Sequence, residues 1–321
     1  MQLIREEDYD KSMTGKVLPY LEIRRTSGTF ERVPGETIYY ERFLADAPRG
    51  LVVLVHGFTE CIEKFYETIY YFLNSGFQVW AIQQRGHGKS FRMVSDPSLV
   101  LIKDYKNLIR DLHWFVHRVV NKDKNAASLP RILFGHSMGG GVGGFYLEVY
   151  PDDFQKAVLS SPMMEINSGS TPAWAAALFA RLMKGLAKDS DYLPGAGPFT
   201  AIADLAASCT SCRARYENWF RIQCSDTRYQ TCAPAIRTAY EFLRLTKAVT
   251  NPANTARIKA KVLLLSAGRD NMVSPGGQER FLRQIGSLGR QVFFPDAKHE
   301  IYLEKNEVLA RYWDAILSFL E

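Results

Sequence analysis

Short apolar runs alternate with amphipathic segments along most of this 321-residue chain, and this alternation constrains its fold more than any other feature. Continuous apolar runs are typical of strands buried on both faces. Apolar residues at helical spacing indicate helices that pack one face against a sheet. The predicted strands are 51–55, 77–82, 131–134, 157–160, 262–265 and 291–294, and the predicted helices are 65–73, 105–119, 139–150, 278–285 and a terminal one from about 302. We therefore expect an α/β fold with a mostly parallel central sheet flanked by helices.

Two regions depart from the alternation. Residues up to about 43 contain short strand-like runs separated by turns at Gly28 and at Pro34-Gly35, which predicts antiparallel strands. From about 163 to 245 the patterns are mostly helical. Because the strands after this segment need the earlier sheet as a pairing partner, we expect one core, residues 1–162 and 246–321, with a helical cap of residues 163–245 inserted into it.

Composition excludes several classes of protein. The net charge of +6 is spread along the chain without a block of like charges, so we expect no nucleic-acid partner. The N-terminus has acidic residues where an export signal needs an apolar stretch. The most apolar stretch, 172–180, is too short to span a bilayer. These features predict a cytoplasmic protein with reduced cysteines; they do not predict its oligomeric state.

One five-residue motif predicts a nucleophile. Gly135-His136-Ser137-Met138-Gly139 matches G-x-S-x-G and lies between a predicted strand and a predicted helix, which is the context that this motif requires. A serine on such a sharp turn is held in strained backbone geometry, with its hydroxyl lifted clear of the sheet. Ser137 is therefore the candidate catalytic nucleophile.

A serine hydroxyl needs a base, and that base needs a carboxylate. When the nucleophile lies in this motif, the acid and then the histidine follow it in the chain, and His299 is the only histidine after Ser137. Asp270, after the predicted strand 262–265, is the favoured acid. Asp296, three residues before His299, remains the alternative.

The tetrahedral intermediate of acyl transfer needs backbone N–H donors for its oxyanion. The residue after the nucleophile, Met138, supplies one such amide. The second is expected from the loop after strand 51–55, at Phe58.

Two pairs of residues have metal-ligand spacing. His113 and His117 are four residues apart on a predicted helix, but no third ligand is evident, so a solvated helix face is favoured. Cys209 and Cys212 have the spacing of half a zinc site or of a redox pair, but no second clustered pair follows. Small buried thiols are the favoured interpretation. We expect no metal and no cofactor.

Two glycine patterns resemble phosphate-binding loops. Gly139, Gly141 and Gly144 fit G-x-G-x-x-G, but they fall inside a predicted helix, after the turn. Gly88-Lys89-Ser90 resembles the end of a P-loop, but Gln83 occupies the position where that loop needs glycine. Neither pattern predicts a nucleotide site.

Together, these motifs resemble a known family. They are, in order, His56-Gly57, Arg85-Gly86-His87-Gly88-Lys89-Ser90, Gly135-His136-Ser137-Met138-Gly139-Gly140, Gly268-Arg269-Asp270 and Lys298-His299-Glu300. The chain resembles the monoacylglycerol lipase and bacterial lysophospholipase branch of the α/β-hydrolases, from about residue 17 to the C-terminus. The resemblance implies an α/β-hydrolase fold with a cap over an apolar pocket and hydrolysis of lipids with one acyl chain. It supports Asp270 as the acid and Phe58 as an oxyanion donor, and it implies a structural role for residues 85–90.

The expected activity is that of a serine hydrolase that cleaves a fatty-acyl ester of a single-chain lipid, a lysophospholipid or a monoacylglycerol. Alternatives are a general carboxylesterase acting on small esters and, less favoured, a non-catalytic protein that keeps the fold as a ligand pocket. In the cap, the segment 174–188 has apolar residues on one helical face and basic residues on the other. That pattern predicts a peripheral contact with a membrane surface, the wall of an acyl tunnel, or a cap helix packed on the core with a solvated back.

Overall fold

A central sheet of eight strands organises the computed structural model, which describes residues 2–169, 178, 181–183 and 185–321. In chain order the strands are β1 (Arg25–Glu31), β2 (Thr37–Phe43), β3 (Gly50–Val55), β4 (Phe77–Ile82), β5 (Leu99–Val100), β6 (Arg131–His136), β7 (Lys156–Ser160), β8 (Ala233–Pro234), β9 (Lys261–Ala267) and β10 (Gly289–Phe294). The sheet order is β1-β2-β4-β3-β6-β7-β9-β10, while β5 pairs with β8 outside it. β2 is antiparallel to β1 and β4, and all other neighbours in the large sheet are parallel. The predicted mostly parallel sheet is therefore confirmed.

Helices lie before, between and after these strands. The α-helices are α1 (Tyr9–Ser12), α2 (Leu18–Glu22), α3 (Tyr66–Asn74), α4 (Lys106–Arg118), α5 (Lys124–Ala127), α6 (Met138–Val149), α7 (Arg213–Ser225), α8 (Ile236–Val249), α9 (Pro252–Thr255), α10 (Pro275–Ile285) and α11 (Asn306–Leu320). A π-helical turn (Met13–Val17) joins α1 to α2, and short 3-10 turns are formed by Ile62–Phe65, Val120–Lys122, Thr227–Tyr229, Gly286–Leu288 and Ile301–Leu303. Among the described residues, no helix has the length and apolar character needed to cross a bilayer.

The sheet separates two hydrophobic cores because successive side chains of a strand point to opposite faces. Along β3, Leu51, Val53 and Val55 belong to one core. Val52 and Leu54 belong to the other. The first core is completed by residues of α4, α6, α8 and α10, and the second by residues of α3 and α11. Burial on both faces explains why the strand runs are continuously apolar.

The chain before β1 is helical, so the expectation of strands up to residue 43 is correct only from Arg25 onward. Tyr9, Met13, Val17 and Leu21 recur at every fourth position and are all buried. This spacing places them on one face of the α1, π-turn and α2 segment, which packs on the second core. The helical spacing of these four buried residues therefore agrees with the helical structure of this stretch.

The segment between β7 and β9 adds no strand to the large sheet within the part of the chain that the structure describes. Its helix α7 is attached to α3 by a buried ion pair, in which Nη2 of Arg215 lies 2.7 Å from Oε1 of Glu67 and neither side chain is more than 2% exposed. The predicted boundary after residue 245 falls within α8, whose Leu245 and Val249 belong to the first core.

Candidate active site

Ser137 lies on a strained turn between β6 and α6, with φ 51° and ψ −118°. A residue with a side chain rarely adopts a positive φ. The glycines of the motif make the turn sterically possible. A Cβ at Gly139 would collide with the carbonyl oxygens of Val55 and His56, and a Cβ at Gly135 would collide with the backbone of Gly139. The start of α6 can therefore approach β3 closely, and Ser137 stands at the N-terminus of that helix.

His299 and Asp270 form a buried pair at the ends of two neighbouring strands. Nδ1 of His299 lies 2.7 Å from Oδ2 of Asp270, and the two side chains are 5% and 6% exposed. Oδ1 of Asp270 accepts the amide hydrogens of Met272 (2.8 Å) and Val273 (3.0 Å). Burial works to raise the pKa of Asp270, but the hydrogen bond and charge of His299 and the two amides outweigh burial and lower it. The carboxylate is therefore ionised where it can orient the imidazole.

The alternative acid, Asp296, does not take this place. It follows β10 in an exposed turn, whereas the carboxylate bonded to His299 comes from the loop after β9.

Ser137 and His299 are brought to the same edge of the sheet. The carboxyl ends of β6, β9 and β10 meet there because these strands are parallel. Nε2 of His136 lies 3.4 Å from the backbone oxygen of His299, and the two imidazole rings are 5.0 Å apart. Among the described residues, Oγ of Ser137 makes no hydrogen bond to His299. In many hydrolases the hydrogen bond between the nucleophile and its base forms fully only when substrate binds.

The loop after β3 restricts which amides can serve an oxyanion. The N–H of Gly57 is donated to Oε2 of Glu60, so this amide is already used. The Phe58 ring packs edge-on against Phe242 of α8, at 5.2 Å between centroids. Met138 is the first residue of α6, and amides at that position have no acceptor within their own helix. The amides of Phe58 and Met138 thus remain the candidates.

Two buried histidines, His56 and His87, shape this loop; the sequence predicted a structural role for His87, as one of residues 85–90, and no role for His56. Nε2 of His56 accepts the amide hydrogen of Gln84 (2.9 Å), so its Nδ1 donates to the carbonyl of Gly57 (2.7 Å). Nε2 of His87 accepts from the amide of Thr59 (3.1 Å), a residue with φ 60°. Burial lowers the pKa of both histidines. They are therefore neutral hydrogen-bonding supports rather than bases.

Glu60 connects the loop to the turn that carries Ser137. Besides Gly57, Oε2 accepts from Nδ1 of His136 (3.0 Å), and Oε1 accepts from the Tyr302 hydroxyl (2.7 Å). Burial works to raise the pKa of Glu60, but His136, Lys64 and Tyr302 hold it far below its usual range. Burial works to lower the pKa of His136, and Glu60 outweighs it and raises that pKa. Sequence reasoning missed this carboxylate; the one available signal was a single carboxylate in the short loop of residues 56–61.

The loop that carries His299 is held on both sides by residues 205–211. Nζ of Lys298 donates to the backbone oxygens of Leu205 (3.3 Å), Ala206 (2.9 Å) and Ser208 (2.9 Å). On the other side, the amide of Glu300 donates to the carbonyl of Cys209 at 2.9 Å. These bonds thus fix the chain on both sides of His299 to residues 205–209.

The competing motifs have structural explanations. Gly139, Gly141 and Gly144 lie inside α6, where they allow close packing, so they form no loop that could hold a phosphate. Ser90 donates to the carbonyl of Gln83 at 2.6 Å, which agrees with a structural role for residues 85–90. Burial raises the pKa of the Cys209 thiol to about 12 and also raises that of Cys212, which makes both thiols poor nucleophiles.

The comparisons with known proteins agree with this architecture. A model of the Hydrolase_4 family, described as serine aminopeptidase S33, matches residues 46–306. The chain belongs to this family. The chain also resembles curated proteins over most of its length: a monoacylglycerol lipase of Mycolicibacterium smegmatis is 26% identical over 89% of the chain and 94% of the relative. Lysophospholipase L2 of Escherichia coli is 26% identical over 92% of the chain and 87% of the relative.

A solved structure supports the fold. A soluble variant of monoglyceride lipase from Saccharomyces cerevisiae, in complex with a substrate analogue, superposes with a TM-score of 0.74 at 20% identity, over 92% of this chain and 94% of that one. The predicted α/β-hydrolase fold and the predicted resemblance to monoacylglycerol lipases and lysophospholipases are confirmed.

Proposed function

We propose that this protein is a serine hydrolase that cleaves a fatty-acyl ester of a single-chain lipid through an acyl-Ser137 intermediate. The observation that carries the proposal is the buried pair of His299 and Asp270, 2.7 Å apart, beside a serine held at positive φ at a helix N-terminus.

In the proposed reaction, Oγ of Ser137 attacks the ester carbonyl while Nε2 of His299 takes its proton. Asp270 holds the imidazole in the required tautomer and stabilises its charged form. The amides of Phe58 and Met138 donate to the oxyanion, and each such donor typically contributes about 3–4 kcal/mol to transition-state stabilisation. His299 then protonates the leaving alcohol. In the second half, water attacks the acyl-enzyme with His299 as base, which releases the fatty acid and regenerates the serine.

The substrate class is supported by the relatives, whose names describe a monoacylglycerol lipase and a lysophospholipase. Both names describe lipids with one acyl chain and differ in the head group. We propose the same class here. A general carboxylesterase for small esters is the second candidate, because the same catalytic residues would serve it.

We also propose that residues 163–245 act as a cap on a core formed by residues 1–162 and 246–321. The hydrogen bonds from Lys298 and Glu300 to backbone oxygens of residues 205–209 support this proposal, because they join the segment between β7 and β9 to the loop that carries His299.

A peripheral contact of the cap with lipid surfaces is a further part of the proposal. Leu178, Leu182 and Leu186 are 49%, 62% and 80% exposed, and Arg181 and Lys188 are exposed as well. Among the other residues of this segment, Met183 is partly buried, and Trp174, Phe179 and Lys184 lie outside the described residues. Exposed apolar and basic side chains in one segment favour binding to anionic lipid, and co-sedimentation with anionic against neutral vesicles tests it.

A substrate series tests the proposed function. Wild type and Ser137→Ala would be assayed on p-nitrophenyl esters from acetyl to palmitoyl, and on 1-monoacylglycerol and lysophosphatidylcholine with matched acyl chains. We expect higher kcat/KM for long acyl chains, and loss of at least about 1,000-fold in the variant. A preference for acetyl esters would replace the lipid substrate with the small-ester alternative. Equal turnover by the variant would exclude Ser137 as nucleophile.

A further inference from the structure

A second cluster of chemically capable side chains lies far from Ser137. His113 and His117 are on α4, and Asp153 follows the C-terminal end of α6. Ser137 is at the opposite end of α6, whose 12 residues span about 18 Å. The cluster therefore belongs to the other edge of the sheet and takes no part in the chemistry proposed above.

The fold supplies the third ligand that the sequence did not reveal. Nε2 of His117 lies 2.8 Å from Oδ2 of Asp153, and Nδ1 of His113 lies 3.8 Å from the same oxygen. All three potential ligand atoms are within 4.8 Å of one another. In a tetrahedral zinc site with bonds of about 2.0–2.1 Å, neighbouring ligand atoms are separated by about 3.3 Å. Shifts of about half an ångström would bring both contacts with Asp153 to that separation.

The surroundings fix the orientation of the potential ligands. The Tyr146 hydroxyl donates to Oδ2 of Asp153, and the His113 ring stacks on Tyr150 at 3.8 Å between centroids. Such outer contacts orient metal ligands and increase affinity. The side chains of His113, His117 and Asp153 are 34%, 37% and 14% exposed, so an ion can reach them from solvent.

We propose that Nδ1 of His113, Nε2 of His117 and Oδ2 of Asp153 bind one divalent transition-metal ion of the zinc class, with water in the fourth position. Two imidazoles and one carboxylate are ligands that Zn²⁺ accepts. The bound ion joins α4 to the loop after α6, and its role is structural. This departs from the expectation that the chain binds no metal, which for His113 and His117 was based on the absence of an evident third ligand.

The simplest competing explanation is a hydrogen-bonded ion pair between His117 and Asp153. It predicts no response to added metal, whereas a metal site predicts saturable binding that depends on all three residues. The proposal is independent of the hydrolase function, because its readouts do not involve turnover.

The test uses full-length protein without a histidine tag, stripped with a chelator. Zn²⁺ binding is measured by isothermal titration calorimetry, and Co²⁺ binding by visible absorption. His117→Ala and Asp153→Asn remove ligands. Asp152→Asn is the matched control, because Asp152 is the adjacent carboxylate and is bonded to Lys259 at 2.8 Å. The metal-induced shift in Tm is measured for each protein.

We expect one equivalent of Zn²⁺, a rise in Tm of about 5 °C at roughly 100 times the dissociation constant, and binding at least about tenfold weaker in the ligand variants. Asp152→Asn should bind like wild type. Absence of saturable binding to wild type would overturn the proposal, as would variants that bind Zn²⁺ as tightly as wild type. A Co²⁺ spectrum identical in wild type and His117→Ala would also contradict it.

Discussion

Nδ1 of His299 lies 2.7 Å from Oδ2 of Asp270, although 29 positions separate the two residues in the chain. The distance is short because β9 and β10 are parallel neighbours, so the loops that follow them leave the sheet side by side. Asp270 is fixed in turn by two backbone amides. Replacing each predicted catalytic side chain should therefore change the enzyme kinetics in a different way.

Replacing Asp270 tests its role as the acid. Asp270→Asn keeps the shape of the side chain but favours the wrong imidazole tautomer, so we expect kcat to fall by about 10,000-fold with little change in KM. Steady-state kinetics on a long-chain p-nitrophenyl ester measures both. Asp296→Asn is the control and should keep wild-type kcat. The reverse outcome, with only the Asp296 variant inactive, would assign the acid to Asp296.

Glu60 is a positioning residue in this account. Glu60→Gln weakens the support of the Gly57 amide and His136, so we expect a clear drop in kcat, an almost unchanged KM, and a loss of about 3–5 kcal/mol in the free energy of unfolding. Urea denaturation and kinetics are measured together. Glu63→Gln removes a nearby carboxylate that is bonded to Lys89 and Tyr229 instead. It should lower stability without lowering kcat, and equal kcat losses in both variants would refute the positioning role.

The Lys298 contacts test whether the inserted segment positions His299. Lys298→Met keeps the apolar stem and loses three charge-assisted hydrogen bonds, each worth about 1.5–3 kcal/mol. We expect faster amide hydrogen exchange in residues 205–211 and a several-fold lower kcat. The control is Lys305→Met, at an exposed site in the same region. If exchange in residues 205–211 is unchanged in the Lys298 variant, the proposed coupling is wrong.

Glu148 predicts a specific dependence of stability on pH. Its carboxylate oxygens are buried without a hydrogen-bond partner among the described residues, and burial raises its pKa to about 9. The folded protein therefore keeps a proton that the unfolded chain releases above about pH 4.3, so the free energy of unfolding falls between that pH and about 9. Glu148→Gln has no such proton to keep.

Urea midpoints at several pH values between 5 and 9 measure this effect. We expect the stability of Glu148→Gln relative to wild type to increase with pH across that range. Glu279→Gln, at an exposed carboxylate, should show a constant difference from wild type. A constant difference for the Glu148 variant as well would mean that the pKa of Glu148 is not raised in the folded protein.

Much of the sheet could be predicted from sequence because burial on both faces makes its strands continuously apolar. The predicted 77–82 coincides with β4, and 51–55 misses only the first residue of β3. Likewise, each candidate catalytic residue follows a strand: Ser137 follows β6, Asp270 follows β9 and His299 follows β10. Because these strands are parallel, their carboxyl ends lie at the same edge of the sheet. Such residues can be placed together without knowing any side-chain contact.

Features that depend on tertiary contact could not be predicted. Glu60 acquires its role only where the loops containing His136 and Tyr302 meet it. Asp153 approaches His117 only because α4 lies beside α6. The N-terminal helices were also not predicted, although the sequence carries a signal for them: Tyr9, Met13, Val17 and Leu21 recur at every fourth position, which is typical of one face of a helix.

Covalent labelling of the nucleophile tests the central claim most directly. Wild type, Ser137→Ala and His299→Ala would be treated with a fluorophosphonate probe, and the adduct located by peptide mass spectrometry. The account predicts one adduct per chain in wild type, on the peptide containing Ser137, none in Ser137→Ala, and much slower labelling in His299→Ala. An adduct on a different serine, or undiminished labelling of Ser137→Ala, would contradict it.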